Sequence, residues 1–289
     1  MVAIKNSSLE VFDKWYIIVW YRVPGRTRMT KAVIGRRVAF CEIAKRFDQL
    51  RRVEMPGSIS VPRPTTEIMV NDFVRSVYNW MCIGLALTGF VAFYVYSSTG
   101  ITDFLRNNPL IFFGLIIAEL AMVFSLVSRV SKMRAGTATS LFVVYSALNG
   151  VTLSFIFIFY TSVSIVSTFF ICAATFLACS VYGWTTKKDL TSFGGFLIMG
   201  VVGIFIAIVV NMFIQSSAMD MMISCIGVFV FVGLTAYDTQ KLKNMAMSQP
   251  AGLDGAVIRK GAILGALSLY LDFINLFLFL LRIVGQGRD

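Results

Sequence analysis

The chain has 289 residues, 57% of them hydrophobic and 14% charged, with a mean hydropathy of +0.77. Charged residues make up about a quarter of a water-soluble domain, so the composition excludes one and makes lipid the solvent. The net charge of +11 falls in the N-terminal tail and in alternate loops, a topology pattern and not a nucleic-acid footprint, and the absence of histidine removes Ser-His, Cys-His and H-E-x-x-H chemistry.

Residues 1–75 form a basic tail holding 14 Lys/Arg and 7 Asp/Glu, with Pro56, Pro62 and Pro64 marking a join to the rest. Trp15–Tyr21 is apolar but too short to cross a bilayer and has no small-residue cleavage site. Met55, followed by a polar, Pro-rich stretch, reads as an alternative start. A seven-helix transmembrane domain is expected over 76–286. The five cysteines (Cys41, Cys82, Cys172, Cys179, Cys225) are scattered, four of them inside apolar runs, with no disulfide or zinc spacing.

From Ser76 onward, charge-poor runs of about 20 residues alternate with short polar connectors, the spacing needed to cross a hydrocarbon core about 30 Å thick. Seven runs are predicted, at 76–97, 110–130, 138–160, 163–184, 194–214, 219–240 and 261–284, with a tight turn at 161–164. Each must be helical, because an open strand edge finds no hydrogen-bonding partner in lipid. The fold class is therefore all-α and polytopic. Arg63 and Arg75 precede the first run, and the second, fourth and sixth loops carry Lys132 and Arg134, Lys187 and Lys188, and Lys241, Lys243, Arg259 and Lys260; the other three loops hold only Arg106. The N-terminus is expected in the cytoplasm. Seven crossings would then put the C-terminus outside; Arg282 and Arg288 argue the other way, which leaves open a last segment that dips in without crossing.

Three acids lie deep in these runs. Asp272 is about 16 Å from the cytoplasmic end of its run, too deep for an interfacial aspartate. It shares a stripe about 80° wide with Gly261, Gly265, Ser268, Asn275 and Phe279, opposite Leu267, Leu271, Ile274, Leu278 and Leu281. Asp238 shares a face with Asp220, Ser224, Gly227, Phe231 and Thr235 near the end of the preceding run. By itself it reads equally well as an interfacial aspartate paired with Lys241. If the two helices are antiparallel neighbours joined by about 20 residues, both carboxyls open into one cavity. Two carboxyls in hydrogen-bonding reach cannot both ionise cheaply, so such a pair holds one proton, and losing it leaves a hard-oxygen site suited to Ca²⁺. A pH-gated cation path, a proton relay and an aspartyl catalytic pair all remain open on these residues.

Glu119 either lines the same path or hydrogen-bonds a neighbouring helix while protonated. Asn149 and Asn211 read as interhelical hydrogen-bonding groups and not as ligands. The many Met and Phe residues read as lipid-facing packing, and no cofactor is expected.

Gly233–Asn244 (GLTAYDTQKLKN), Gly265–Arg282 (GALSLYLDFINLFLFLLR), Ser76–Gly89 (SVYNWMCIGLALTG), Tyr145–Gly150 and Tyr182–Lys187 together resemble the Bax inhibitor 1 family, most of all its bacterial inner-membrane members. The resemblance covers about residues 70–286. It implies a last helix at the centre of the other six and a pH-sensitive Ca²⁺ leak, not an enzyme. In that leak the aspartates matching Asp238 and Asp272 bond in the closed state, hold the ion and part on deprotonation. It also implies a transmembrane arginine acting on this region, for which Arg129 is the nearest candidate. Eukaryotic relatives moderate cell death from the endoplasmic reticulum.

Two rivals come from other classes. An intramembrane aspartyl protease would use Tyr237-Asp238, but its second motif, Gly-x-Gly-Asp, is Leu269-Tyr270-Leu271-Asp272 here, and no proline follows Pro250. A non-transporting regulator would bind other membrane proteins through its lipid-facing helices.

Overall fold

A computed structural model describes residues 64–248 and 254–287. The readings for Trp15–Tyr21, Met55 and most of the basic tail lie outside these residues. In chain order the helices are α1 (Pro64–Ser97), α2 (Thr99–Asn107), α3 (Pro109–Arg129), α4 (Ala135–Leu153), α5 (Ile156–Phe159), α6 (Ser162–Thr185), α7 (Thr191–Ile214), α8 (Ser217–Met247) and α9 (Gly255–Val284). Seven segments are long and apolar enough to cross a membrane, one of them formed by α4 and α5 together.

Local chemistry sets the ends. Proline opens α1 and α3, where its missing N–H costs nothing. Gln215, at φ 55° in the left-handed region, stops α7, and Ser216 caps α8 by accepting from the Met219 N–H. Asp254 caps α9 in the same way through the Ala256 N–H.

The apolar runs understate the helices. α1 starts at Pro64, upstream of the expected Ser76, and α8 and α9 run on until residues 248–254 alone separate them, in place of a connector of about 20 residues. Backbone hydrogen bonding does not stop where the hydrocarbon stops.

α9 is the core of the bundle. Of its most apolar 18-residue window 89% is buried, against 22–50% for the other six. It packs along α1, α4, α6 and α8, while α3 leans mainly on α4 and α7 mainly on α8. Both sides of α9 are therefore covered: Leu267, Leu271, Ile274, Leu278 and Leu281, opposite the polar stripe, are as buried as the stripe itself. Phenylalanine divides accordingly, with Phe142, Phe273 and Phe279 inside and Phe196, Phe213 and Phe229 on the outer surface.

α9 also runs from one end of the bundle to the other. At the lysine-rich end the Lys260 ammonium donates to the Ser131 carbonyl in the α3–α4 loop. At the far end Arg282 lies 3.8 Å from Asp220 of α8, and Gly287 bridges to Tyr160 between α5 and α6. The Gln286 N–H donates to Ser164 Oγ at 2.8 Å. The last segment is thus one of the seven expected crossing helices, and Arg282 is paired against a neighbouring helix at the far end.

Candidate functional site

Five consecutive residues of α8, Ala236 to Gln240, each meet a different part of the bundle. Ala236 faces Gly183 of α6 so closely that a methyl there would lie 2.3 Å from the Ala236 carbonyl oxygen. The Tyr237 ring covers Gly194 of α7, where a methyl would come within 2.6 Å. Asp238 Oδ2 accepts a hydrogen bond from Ser268 Oγ of α9 at 3.0 Å. Thr239 Oγ1 and Tyr78 Oη of α1 lie 3.4 Å apart. Gln240 bonds the loop between α6 and α7.

Successive helical side chains point about 100° apart, so a short run of chain can address every neighbour only if its helix is surrounded. Gly183 lets α6 approach the α8 backbone, Gly194 makes room on α7 for the Tyr237 ring, and Asp238 is left 1% exposed. α8 continues through Met247, about two and a half turns beyond Asp238, so this aspartate is not at the end of its helix.

Asp272, at 6% exposure, lies on α9 one turn beyond Ser268. An i, i+4 pair shares a helix face, so the Ser268 bond brings Asp238 against the part of α9 that carries Asp272. Asn275, on the same stripe, is 2% exposed and donates back to the Leu271 carbonyl at 2.8 Å. On the α6 side Cys172 Sγ donates to the Phe273 carbonyl at 3.6 Å.

Among the described residues no group of three or more His, Cys, Asp or Glu could hold a metal ion.

The other two sequence candidates sit elsewhere. Glu119, fully buried in α3, has its Oε1 2.9 Å from Thr152 Oγ1 on α4, so its hydrogen-bond partner lies on a neighbouring helix away from α8. Thr152 Oγ1 is also 3.0 Å from the Asn149 carbonyl, and one hydroxyl proton cannot serve both oxygens. Glu119 Oε2 has no hydrogen-bond partner among the described residues.

Arg129 is exposed on the last residue of α3, a helix that packs mainly on α4, and no hydrogen bond or ion pair among the described residues joins it to Asp238 or Asp272. Its charge complements the negative end of its own helix.

Asn149 also differs from expectation, donating to Tyr145 Oη within its own helix, whereas Asn211 does bridge helices, to Asp220 and the Ser216 backbone. Ser268 is visible in the sequence as a stripe member but not as the partner of Asp238. Gln240 gives no signal beyond a polar residue near the end of an apolar run.

Residues 70–289 match the family described as inhibitor of apoptosis-promoting Bax1. The chain is 51% identical over 233 residues to inner membrane protein YbhL of Escherichia coli K12, covering 81% of this chain and 98% of that protein. It is 44% identical over 233 residues to an uncharacterized protein of Borreliella burgdorferi, with 80% and 99% covered. A Deinococcus radiodurans protein is 42% identical over 237 residues, with 82% and 100% covered.

Proposed function

The chain belongs to the Bax inhibitor 1 family of membrane proteins, and from that premise we propose that it is a pH-sensitive Ca²⁺ leak of the bacterial inner membrane, gated by Asp238 and Asp272. The lysine-rich end faces the cytoplasm, by the bias of basic residues toward that side. Protonated, the two carboxyls latch α8 to α9. Deprotonated, they repel each other and their oxygens offer a hard site to an entering cation. Protons and Ca²⁺ are thus the ligands, and the protein acts as a conduit, not an enzyme.

The observation that supports this reading is the Ser268–Asp238 hydrogen bond, which holds a 1%-exposed carboxyl against the central helix one turn from a second buried aspartate. A buried acid is costly in a membrane unless it is protonated, paired or carries an ion, and acids kept there commonly mark ion or proton paths.

Purified protein in liposomes loaded with a Ca²⁺ dye tests it. Leak is expected to rise as pH rises through the neutral range, and Asp272→Asn is expected to flatten that dependence. A leak that ignores Asp272→Asn removes the pair from the mechanism. Absence of leak at every pH favours a second reading, a non-transporting regulator of other membrane proteins. The feature that favours it is α7, whose apolar window is the least buried of the seven and which leans mainly on α8 alone.

A further inference from the structure

Gln240 is 7% exposed, two residues beyond Asp238, and uses both ends of its carboxamide on one stretch of backbone. Oε1 accepts from the Leu190 N–H at 2.8 Å, and Nε2 donates to the Lys188 carbonyl at 2.7 Å. Accepting from one residue and donating to another two positions earlier is the grip of a neighbouring strand. It fixes the direction of the α6–α7 loop as well as its distance.

The other end of the loop is held from the same helix. Lys243 Nζ donates to the Trp184 carbonyl at 2.7 Å, in the last turn of α6, and lies 5.4 Å from the centre of the Trp184 ring. Asp189 in turn accepts from the Thr191 N–H at 2.9 Å, tying the loop to the first residue of α7.

We propose that Gln240 is a positioning residue that makes the loop at 186–190, the start of α7 and the Asp238 turn of α8 one mechanical body. When Asp238 changes its contact with α9, this body shifts against α9 as a unit. The proposal rests on the aspartate-gate reading for its functional consequence but not for the tether itself. The ionisable groups on the elements around this turn include Asp272 on α9, Tyr78 on α1, Tyr182 on α6, Lys187, Lys188 and Asp189 in the loop, and Tyr237, Lys241 and Lys243 on α8. Gln240 adds no charge to them. Its effect on the gate is through position.

Nitroxide distances in the full chain test it, with Cys41, Cys82, Cys179 and Cys225 changed to serine and buried Cys172 kept. One pair, Lys187→Cys with Asn244→Cys, spans loop to α8; a second, Lys187→Cys with Gly255→Cys, spans loop to α9. In the parent protein the loop-to-α8 distance is expected to be narrow and equal at low and high pH, while the loop-to-α9 distance changes. Gln240→Leu is expected to broaden the loop-to-α8 distribution and to move the midpoint of the liposome leak by about half a pH unit or more. Gln240→Glu keeps the acceptor for Leu190 and loses the donor to Lys188, so it should fall between the two and serves if the leucine variant does not fold. A narrow loop-to-α8 distribution in both variants, or leak profiles that overlay the parent's, overturns the proposal. If the parent shows neither leak nor any loop-to-α9 change, the gate reading fails, and the comparison of widths still decides the tether.

Discussion

Ser268 donates its hydroxyl to Asp238 across the interface between α9 and α8, from a position one turn before Asp272. The bond joins the helix at the bundle's centre to the helix with which it forms its main interface. Removing it should loosen the latch and leave the acids themselves unchanged. Ser268→Ala is expected to cost about 1–3 kcal/mol of stability, since it strips a buried acceptor of a donor. On the proposed gate it should also raise leak at the acidic end of the pH range, where the latch would be closed. Thermal unfolding in detergent and dye-loaded liposomes measure the two effects; an unchanged acidic leak would separate this serine from the gate.

Gly183 is the closest approach of α6 to α8. A methyl there would sit 2.3 Å from the Ala236 carbonyl, and backbone cannot step aside as a flexible side chain can. Gly183→Ala is expected to destabilise by about 1–3 kcal/mol or more by forcing the helices apart. Gly203→Ala, where a methyl meets nothing within 4 Å, should be neutral or slightly stabilising in the same melt.

Thr152 and Glu119 share one proton-bearing contact inside the membrane. Glu119→Gln keeps a group able to donate to the threonine oxygen and is expected to melt close to the parent. Glu119→Ala should lose about 1–3 kcal/mol. Combining each with Thr152→Val should give a coupling of about 0.5–2 kcal/mol for the alanine pair, read from a double-mutant cycle of melting data.

Asp189 lies outside the membrane-spanning segments, and hydrogen bonds from the Thr191 hydroxyl and then its backbone N–H hold its carboxyl below the usual aspartate range. A depressed folded-state value adds stability above the unfolded value of about 3.9, lost as pH falls through the folded one. Asp189→Asn should therefore alter stability's pH dependence only in acid. Its leak profile across neutral pH should overlay the parent's, and a displaced profile would show that the loop's charge contributes to gating.

The seven crossings were legible because lipid leaves a chain few choices: runs without charge must be helices, and their lengths must match the bilayer. Helix ends were not, since Met247 and Gly255 lie in polar sequence where hydrogen bonding continues unannounced. Asp272 stood out because its surroundings are apolar. Arg129 was a candidate through the family resemblance alone, and its own residues carry no sign of which helices are neighbours; α3 leans on α4. Gln240 stayed hidden for a different reason: its partners are backbone atoms 50 and 52 positions away, which carry no residue-specific trace.

The most enclosed helix is also the last of the seven to leave the ribosome. During translation α1, α4, α6 and α8 must wait in the bilayer around an unfilled axis, with their inward polar groups facing lipid or each other. Only when α9 inserts can those groups find their final partners. A nascent chain stopped before residue 255 would thus lack the helix against which α1, α4, α6 and α8 pack.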